Sequence, residues 1–249
     1  MKLSGNTILI TGGTSGIGRA LAVALHGLDN QVIIAGRRKA LLDEVTAANP
    51  GMQSIELDIG DAASIQAASA RLIADFPRLN VLVNNAGVMH FDDSAAAIDE
   101  EMMQTTITTN LMGPIRLTGA LIGHLQQQAS ATVVNVSSVL GFVPMAMTAV
   151  YSSTKAALHS YTMSLRWKLK NTSVKVLELA PPWVQTDLLD SKDEPRAMPL
   201  AEFIEETIAV LGTDVSEVLV ERAKPMRANP GPGEYVFVEQ FNDILAQPA

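Results

Sequence analysis

Tyr151 and Lys155 stand four residues apart in the segment Tyr151-Ser152-Ser153-Thr154-Lys155. On a helix, side chains at that spacing share a face. A phenol with an ordinary pKa of about 10 is a poor base near neutrality. A neighbouring lysine cation favours its phenolate. Such a pair gives a proton to a reduced carbonyl oxygen or takes one from an alcohol. Alone, the spacing is common in helices and reads as an exposed pair, so its surroundings decide. Upstream, Val136-Ser137-Ser138 closes an apolar run, and a serine hydroxyl there is placed to hydrogen-bond a substrate oxygen and stabilise charge on it. A second constellation, Thr11-Gly12-Gly13-Thr14-Ser15-Gly16-Ile17-Gly18, joins an apolar run to a helical pattern. Glycines there let the backbone approach a pyrophosphate, and the helix start offers free N–H groups and a positive dipole end. At the end of the next apolar run, an NAD-specific site carries a carboxylate for the ribose 2′-OH. Gly36 occupies that place, followed by Arg37, Arg38 and Lys39. A guanidinium fork suits a 2′-phosphate, whereas three cations at a helix N-terminus otherwise oppose its dipole. NADP(H) is therefore expected, with NAD(H) the weaker alternative.

The elements that must position these residues alternate. Strands are predicted at Thr7–Thr11, Gln31–Ala35, Gln53–Leu57, Asn80–Val83, Ala131–Val136 and Ser173–Leu179. Helices are predicted at Gly16–Leu28, from about Lys39, at Ala62–Phe76, as one long helix at Glu100–Gln127, and at Val150–Leu169. Such alternation predicts parallel strands with right-handed crossovers. Ile8–Ile10 and Val81–Val83 are apolar without alternation, as expected of strands buried on both faces. Pro181, Pro182, Pro195, Pro199, Pro225, Pro230 and Pro232 crowd the last third, which reads as irregular. A last strand at Glu217–Val220 and a terminal helix at Glu234–Leu245 are weaker patterns there.

The glycine spacing T-G-x-x-x-G-x-G, together with Ser138, Tyr151 and Lys155, resembles the small single-domain branch of the short-chain dehydrogenase/reductase family, from about Asn6 to Thr186. The resemblance implies one Rossmann-type, doubly wound, three-layer α/β/α domain over 1–249. Its thirteen-residue spacing to the tyrosine selects Ser138 over Ser137. It assigns Asn110 to a water chain linking Lys155 to solvent; the residues alone suggest a surface position. It also implies that Asp58 and Ile59 contact adenine, although Asp58 could equally cap the next helix. Asn85, Ala86 and Gly87 would pass beside the adenosine ribose, and Pro181, Val184 and Thr186 would meet the carboxamide. Pro182 replaces the family's glycine, and the double proline is similar to a subgroup named for lipoteichoic-acid D-alanylation. A homodimer or homotetramer, built through the long helices, is the family's expectation.

Candidate pocket walls follow the same turns: Met89, then Leu140 and Met145, then Trp183. They favour an apolar or aromatic carbonyl or alcohol over a sugar. A lid is expected within 182–215, centred on Leu188–Leu200. The bulk numbers fit an enzyme of this kind. The net charge of −8 argues against a nucleic-acid partner. With no cysteine, thiolate metal sites and thiol nucleophiles are excluded. His26, His90, His124 and His159 are scattered without ligand spacing, so no metal is expected. No apolar run reaches the ~20 residues that span a bilayer, and no leader pattern opens the chain, so a cytoplasmic location is expected. The rival reading is a cofactor-binding sensor without turnover. Such proteins usually lose the tyrosine or lysine, and both are present here.

Overall fold

The computed structural model describes residues 1–246. Strands β1 (Thr7–Thr11), β2 (Gln31–Gly36), β3 (Gln53–Glu56), β4 (Leu79–Asn84), β5 (Ala131–Val136), β6 (Val174–Leu179) and β7 (Glu217–Val218) form one sheet. Its order is β3-β2-β1-β4-β5-β6-β7, and every pairing is parallel. The strands are parallel as the alternation predicted, and the sheet is the doubly wound, Rossmann type that the resemblance implied. Helices α1 (Gly16–His26), α2 (Lys39–Ala48), α3 (Ala62–Asp75), α4 (Glu100–Ile107), α5 (Gly113–Gln127), α6 (Ala149–Leu169), α7 (Leu200–Leu211), α8 (Lys224–Arg227) and α9 (Glu234–Leu245) complete it.

Successive residues of one strand feed opposite cores, which is why the strands carry no polar alternation. Ile8, Ile10, Val32 and Ile34 pack with Leu21 and Leu25 of α1 and Phe203 of α7. Leu9, Ile33 and Leu82 pack with Leu72 of α3 and Leu117, Leu121 and Leu125 of α5. β1 has β2 on one side and β4 on the other, so the winding reverses there. Beyond the carboxyl ends of those strands a crevice opens, the general ligand position in such sheets.

Two sequence expectations need correction. The long helix is interrupted by a π-helical turn at Thr108–Met112. Pro114 has no N–H and would clash with the carbonyl four residues back, at Asn110. The ladder slips instead: Gly113 N–H donates to Thr108 O, five residues back. The second correction concerns 182–215. Its latter half is α7, whose Phe203 is fully buried. The prolines there obscured a regular helix, because Pro199 stands just before the first turn, where a missing N–H costs nothing.

Candidate active site

The crevice is a cleft of about 620 Å³. Its phosphate end is built at the β1–β4 junction. Thr11 Oγ1 accepts from the backbone N–H groups of Asn85 and Ala86, each at 3.0 Å, and Asn85 Nδ2 donates to Thr11 O at 2.9 Å. Asn84 braces the next layer through Thr118 and Asn135, at 3.0 and 2.8 Å. Gly12 has φ 67°, and a Cβ there would lie 2.9 Å from Ala86 Cα. The α1 N-terminus behind it has no side-chain cap from Ser15 and no acidic residue in its first turn. Its N–H groups and dipole are thus left for an anion. Gly12, Thr14, Ser15, Gly16, Ile17 and Gly18 all line the cleft.

Arg37 and Arg38 line it too, and neither makes a side-chain hydrogen bond or ion pair among the described residues. Lys39 is committed to Asp43, at 2.8 and 2.6 Å. Asp58 and Ile59 form the facing edge. Asp58 accepts from Gly60 N at 2.9 Å, and the cap of α3 is Asp61, which accepts from Ala63 N. The helix-cap alternative for Asp58 is therefore wrong.

At the other end, α6 presents one buried face through Tyr151, Thr154, Lys155, Leu158 and Thr162, a spacing of three to four residues. Lys155 Nζ donates to Val136 O at 2.9 Å and lies 5.4 Å from the centre of the Tyr151 ring. Burial pushes the Tyr151 phenol up to about 12, while the neighbouring Ser138 hydroxyl draws it down by less. Burial pushes Lys155 down to about 8, and the Glu178 carboxylate opposes that shift. In the protein alone, desolvation thus dominates and Tyr151 stays a neutral phenol. Ser138 opens a tight turn and accepts from Leu140 N at 3.1 Å. Ser137 donates instead to Glu178, at 2.6 Å. The two serines thus have different partners, Glu178 for Ser137 and the Leu140 amide for Ser138.

Asn110 is fully buried, not a surface residue. Its Oδ1 accepts from Val88 N at 2.8 Å and its Nδ2 donates to Val88 O at 2.7 Å. It clamps the strand exit behind Gly87, whose Cβ position would lie 3.3 Å from Asn110 Oδ1 and 3.7 Å from Lys155 Nζ. Asn110 alone among the proposed catalytic residues does not line the cleft. Asn85, Ala86, Gly87, Pro181, Val184 and Thr186 do. Pro182 sits in a loop that Val184 pins by a parallel bridge to Met198, so no left-handed residue is needed there. Met89, Leu140, Met145 and Trp183 also line the cleft.

Three contributions escaped the sequence reading. Asp92 accepts from Ala149 N at 3.0 Å and Val150 N at 2.9 Å, capping α6 across 57 and 58 residues. Nothing local marks such a cap. Phe241 and Leu245 of α9, with Met226, close the apolar wall. Asn242 ties that helix to the 144–146 turn, accepting from Ala146 N at 2.6 Å and donating to Pro144 O at 3.0 Å. His159 is not an isolated histidine: its ring nitrogen lies 2.7 Å from Glu178, with Glu217 close by.

A parallel sheet with a switch-point cleft, an uncapped helix start and a buried Tyr–Lys pair define a class of nucleotide-dependent oxidoreductases. The family model for short chain dehydrogenase matches residues 6–197. The oxidoreductase DltE of Bacillus subtilis (strain 168) is 38% identical over 233 residues, covering 91% of this chain and 92% of that protein. An NADP-dependent 3-hydroxy acid dehydrogenase of Schizosaccharomyces pombe is 31% identical, over 75% of this chain and 74% of that protein. A short chain dehydrogenase of Burkholderia cenocepacia, solved with NADP, shares the fold with a TM-score of 0.83 at 24% identity, over the whole of both chains. The chain belongs to the short-chain dehydrogenase family and is an oxidoreductase of that family.

Proposed function

We propose that the chain is an NADP(H)-dependent carbonyl reductase acting on a neutral, apolar ketone or aldehyde, or on the matching secondary alcohol in reverse. The observation that carries this reading is the run of one cleft from an uncapped helix N-terminus and two unpartnered arginines to Ser138, Tyr151 and Lys155. Gly12 to Gly18 would hold the pyrophosphate, Arg37 and Arg38 the 2′-phosphate, and Val184 and Thr186 the carboxamide. When bound, the reduced nicotinamide supplies the hydride. Ser138 Oγ hydrogen-bonds the carbonyl oxygen, and Tyr151, kept as a neutral phenol by its burial, gives that oxygen its proton. Lys155 carries the balancing positive charge beside the ring. Asn110 holds the Val88 turn against that lysine, and we assign its slipped helix turn to a water route from solvent.

The substrate class follows from the pocket wall. An acid substrate, as the fission yeast relative's name implies for that protein, needs a free cation. Arg196 borders the cleft, but its fork is taken by Glu194 at 2.8 and 2.9 Å, and it stacks 5.1 Å from the Trp183 ring centre. Around it the wall is mostly apolar, with Met89, Leu140, Met145, Met226 and Phe241, and Asp187 and Ser191 at its edge. The lid is the short segment Leu188–Asp193, where Leu189 and Asp190 hold φ values of 53° and 50°. Left-handed backbone at non-glycine residues costs roughly 1–2 kcal/mol each.

The test is a screen of aldehydes, ketones and alcohols with both cofactors, followed by the reduced-nicotinamide absorbance. Reduction of apolar carbonyls with NADPH is expected. A clear preference for NADH overturns the arginine assignment, and cofactor binding without turnover of any carbonyl favours the sensor reading.

A further inference from the structure

Glu178 is the one carboxylate on β6, and it is fully buried. A charge in such a place is costly unless it is paired. Both of its oxygens are engaged: Oε1 accepts from Ser137 Oγ at 2.6 Å, and Oε2 faces His159 Nδ1 at 2.7 Å. Ser137 is bonded through its backbone to Leu179 at 2.8 Å, so β5 and β6 are locked together at this point. The residue before it, Val136, gives its carbonyl to Lys155 Nζ. The residue after it is Ser138. The carboxylate therefore holds the middle of a three-residue segment whose neighbours seat the ammonium and the substrate-facing hydroxyl.

We propose that Glu178 is a positioning residue of the active site: its carboxylate, anchored between Ser137 and His159, supplies the negative charge facing the Lys155 ammonium and fixes the Val136–Ser138 segment. The proposal rests on the reading of Tyr151 and Lys155 given above. It differs from a metal site, although His159, Glu178 and Glu217 offer ligand atoms within 4.8 Å of one another. Glu217 already takes a two-pronged bond from Arg227, at 2.8 and 2.9 Å. The charged groups near Glu178 are then Lys155 from α6, Glu217 from β7 and Arg227 from α8, with the His159 ring as its hydrogen-bond partner, while Arg166 of α6 faces Glu217. Arg227 and Glu217 offset each other, and Arg166 donates to the carbonyls of Val176 and Ser216, each at 2.9 Å. Glu178 is the carboxylate that acts on Lys155 to hold its proton. The charge also bears on the tyrosine, because a lysine held cationic steadies the phenolate left when Tyr151 gives up its proton.

The experiment titrates Lys155 directly, without turnover. In protein with carbon-13 at the lysine ε position, the signal lost in Lys155→Met identifies the residue. It is expected to titrate near 8 in the native chain. In Glu178→Gln the midpoint falls by about 0.5–1 unit, while Glu178→Asp, which keeps the charge, stays near the native value. The alkaline limb of NADPH-dependent carbonyl reduction moves down with it in Glu178→Gln only. A purely structural role would lower melting in both variants and move neither midpoint. If Glu178→Gln does not fold, His159→Arg places a permanent cation on the carboxylate and should move the midpoint the same way. A folded variant with an unchanged midpoint overturns the proposal. A shifted midpoint in a protein that reduces no carbonyl upholds the Glu178–Lys155 coupling and defeats the reductase reading instead.

Discussion

Burial acts in opposite senses on Tyr151 and Lys155, raising the first to about 12 and lowering the second to about 8. The lysine shift gives a stability signature. An unfolded chain keeps this amine protonated up to about its ordinary 10.5, whereas the folded chain releases the proton near 8. Folding therefore expels a proton in that window, and stability rises with pH from about 8 to about 10.5, by a few kcal/mol at most. Tyr151 opposes this above about 10, where the unfolded phenol ionises first. Urea midpoints taken across this range should rise in the native protein without cofactor and stay flat in Lys155→Met. At the same scale, Tyr151→Phe should cut turnover by about 10²–10⁴-fold while NADPH binding, followed by fluorescence, stays nearly intact. Replacing Arg37 and Arg38 with alanine should weaken NADPH about 10–100-fold and leave NADH affinity unchanged. Equal losses for both cofactors would refute the 2′-phosphate assignment. These residues were legible in the sequence because their chemistry is carried by type and spacing. Asp92 and Glu178 were not, since each acts on a partner brought near only by the fold.

Helix α6 aims the tyrosine and lysine, and its start is held from outside by Asp92. An N-terminal cap is worth about 1 kcal/mol, and a carboxylate there also meets the helix dipole. Asp92→Ala is expected to cost about 1–2 kcal/mol in urea unfolding and to lower kcat more than cofactor affinity; unchanged kcat would separate the cap from the site. The α4–α5 interruption belongs to the same scale. Periodicity marked one helix from Glu100 to Gln127, and the outer ends agree with the structure. The slip inside it is readable only by asking where Pro114 leaves the carbonyl of Asn110. The strands were legible because both faces are buried and their apolar runs are unbroken. The last third was less so: proline density hid α7, while β7 and α9 were readable only as weak patterns at Glu217–Val220 and Glu234–Leu245.

For the whole molecule, the expectation is a homodimer or homotetramer joined through the long helices. Met112, Met163 and Trp167 expose apolar surface on the π turn and on α6. Sedimentation at micromolar concentration should show an oligomer, and Trp167→Lys should shift it toward monomer; a native monomer would sink the idea. Hydrogen exchange tests the lid at the same level. Protection of 188–193 should rise with cofactor and substrate together, whereas α7, packed on α1, should not change. Among the described residues no helix is long and apolar enough to cross a membrane.

The closing helix α9 has a practical consequence. It contributes Phe241 and Leu245 to the pocket yet buries none of its residues fully, and Asn242 fastens it to the wall opposite. Tyr151 and Lys155 stand beside the sheet edge, whereas this part of the cleft wall is a peripheral helix held by the Asn242 amide and by Phe237, Val238 and Phe241 packed on Phe142 and Val143. On the proposed carbonyl-reductase reading, a library at Phe241, Asn242 and Leu245 is the natural start for widening substrate scope, since it leaves Ser138, Tyr151 and Lys155 untouched.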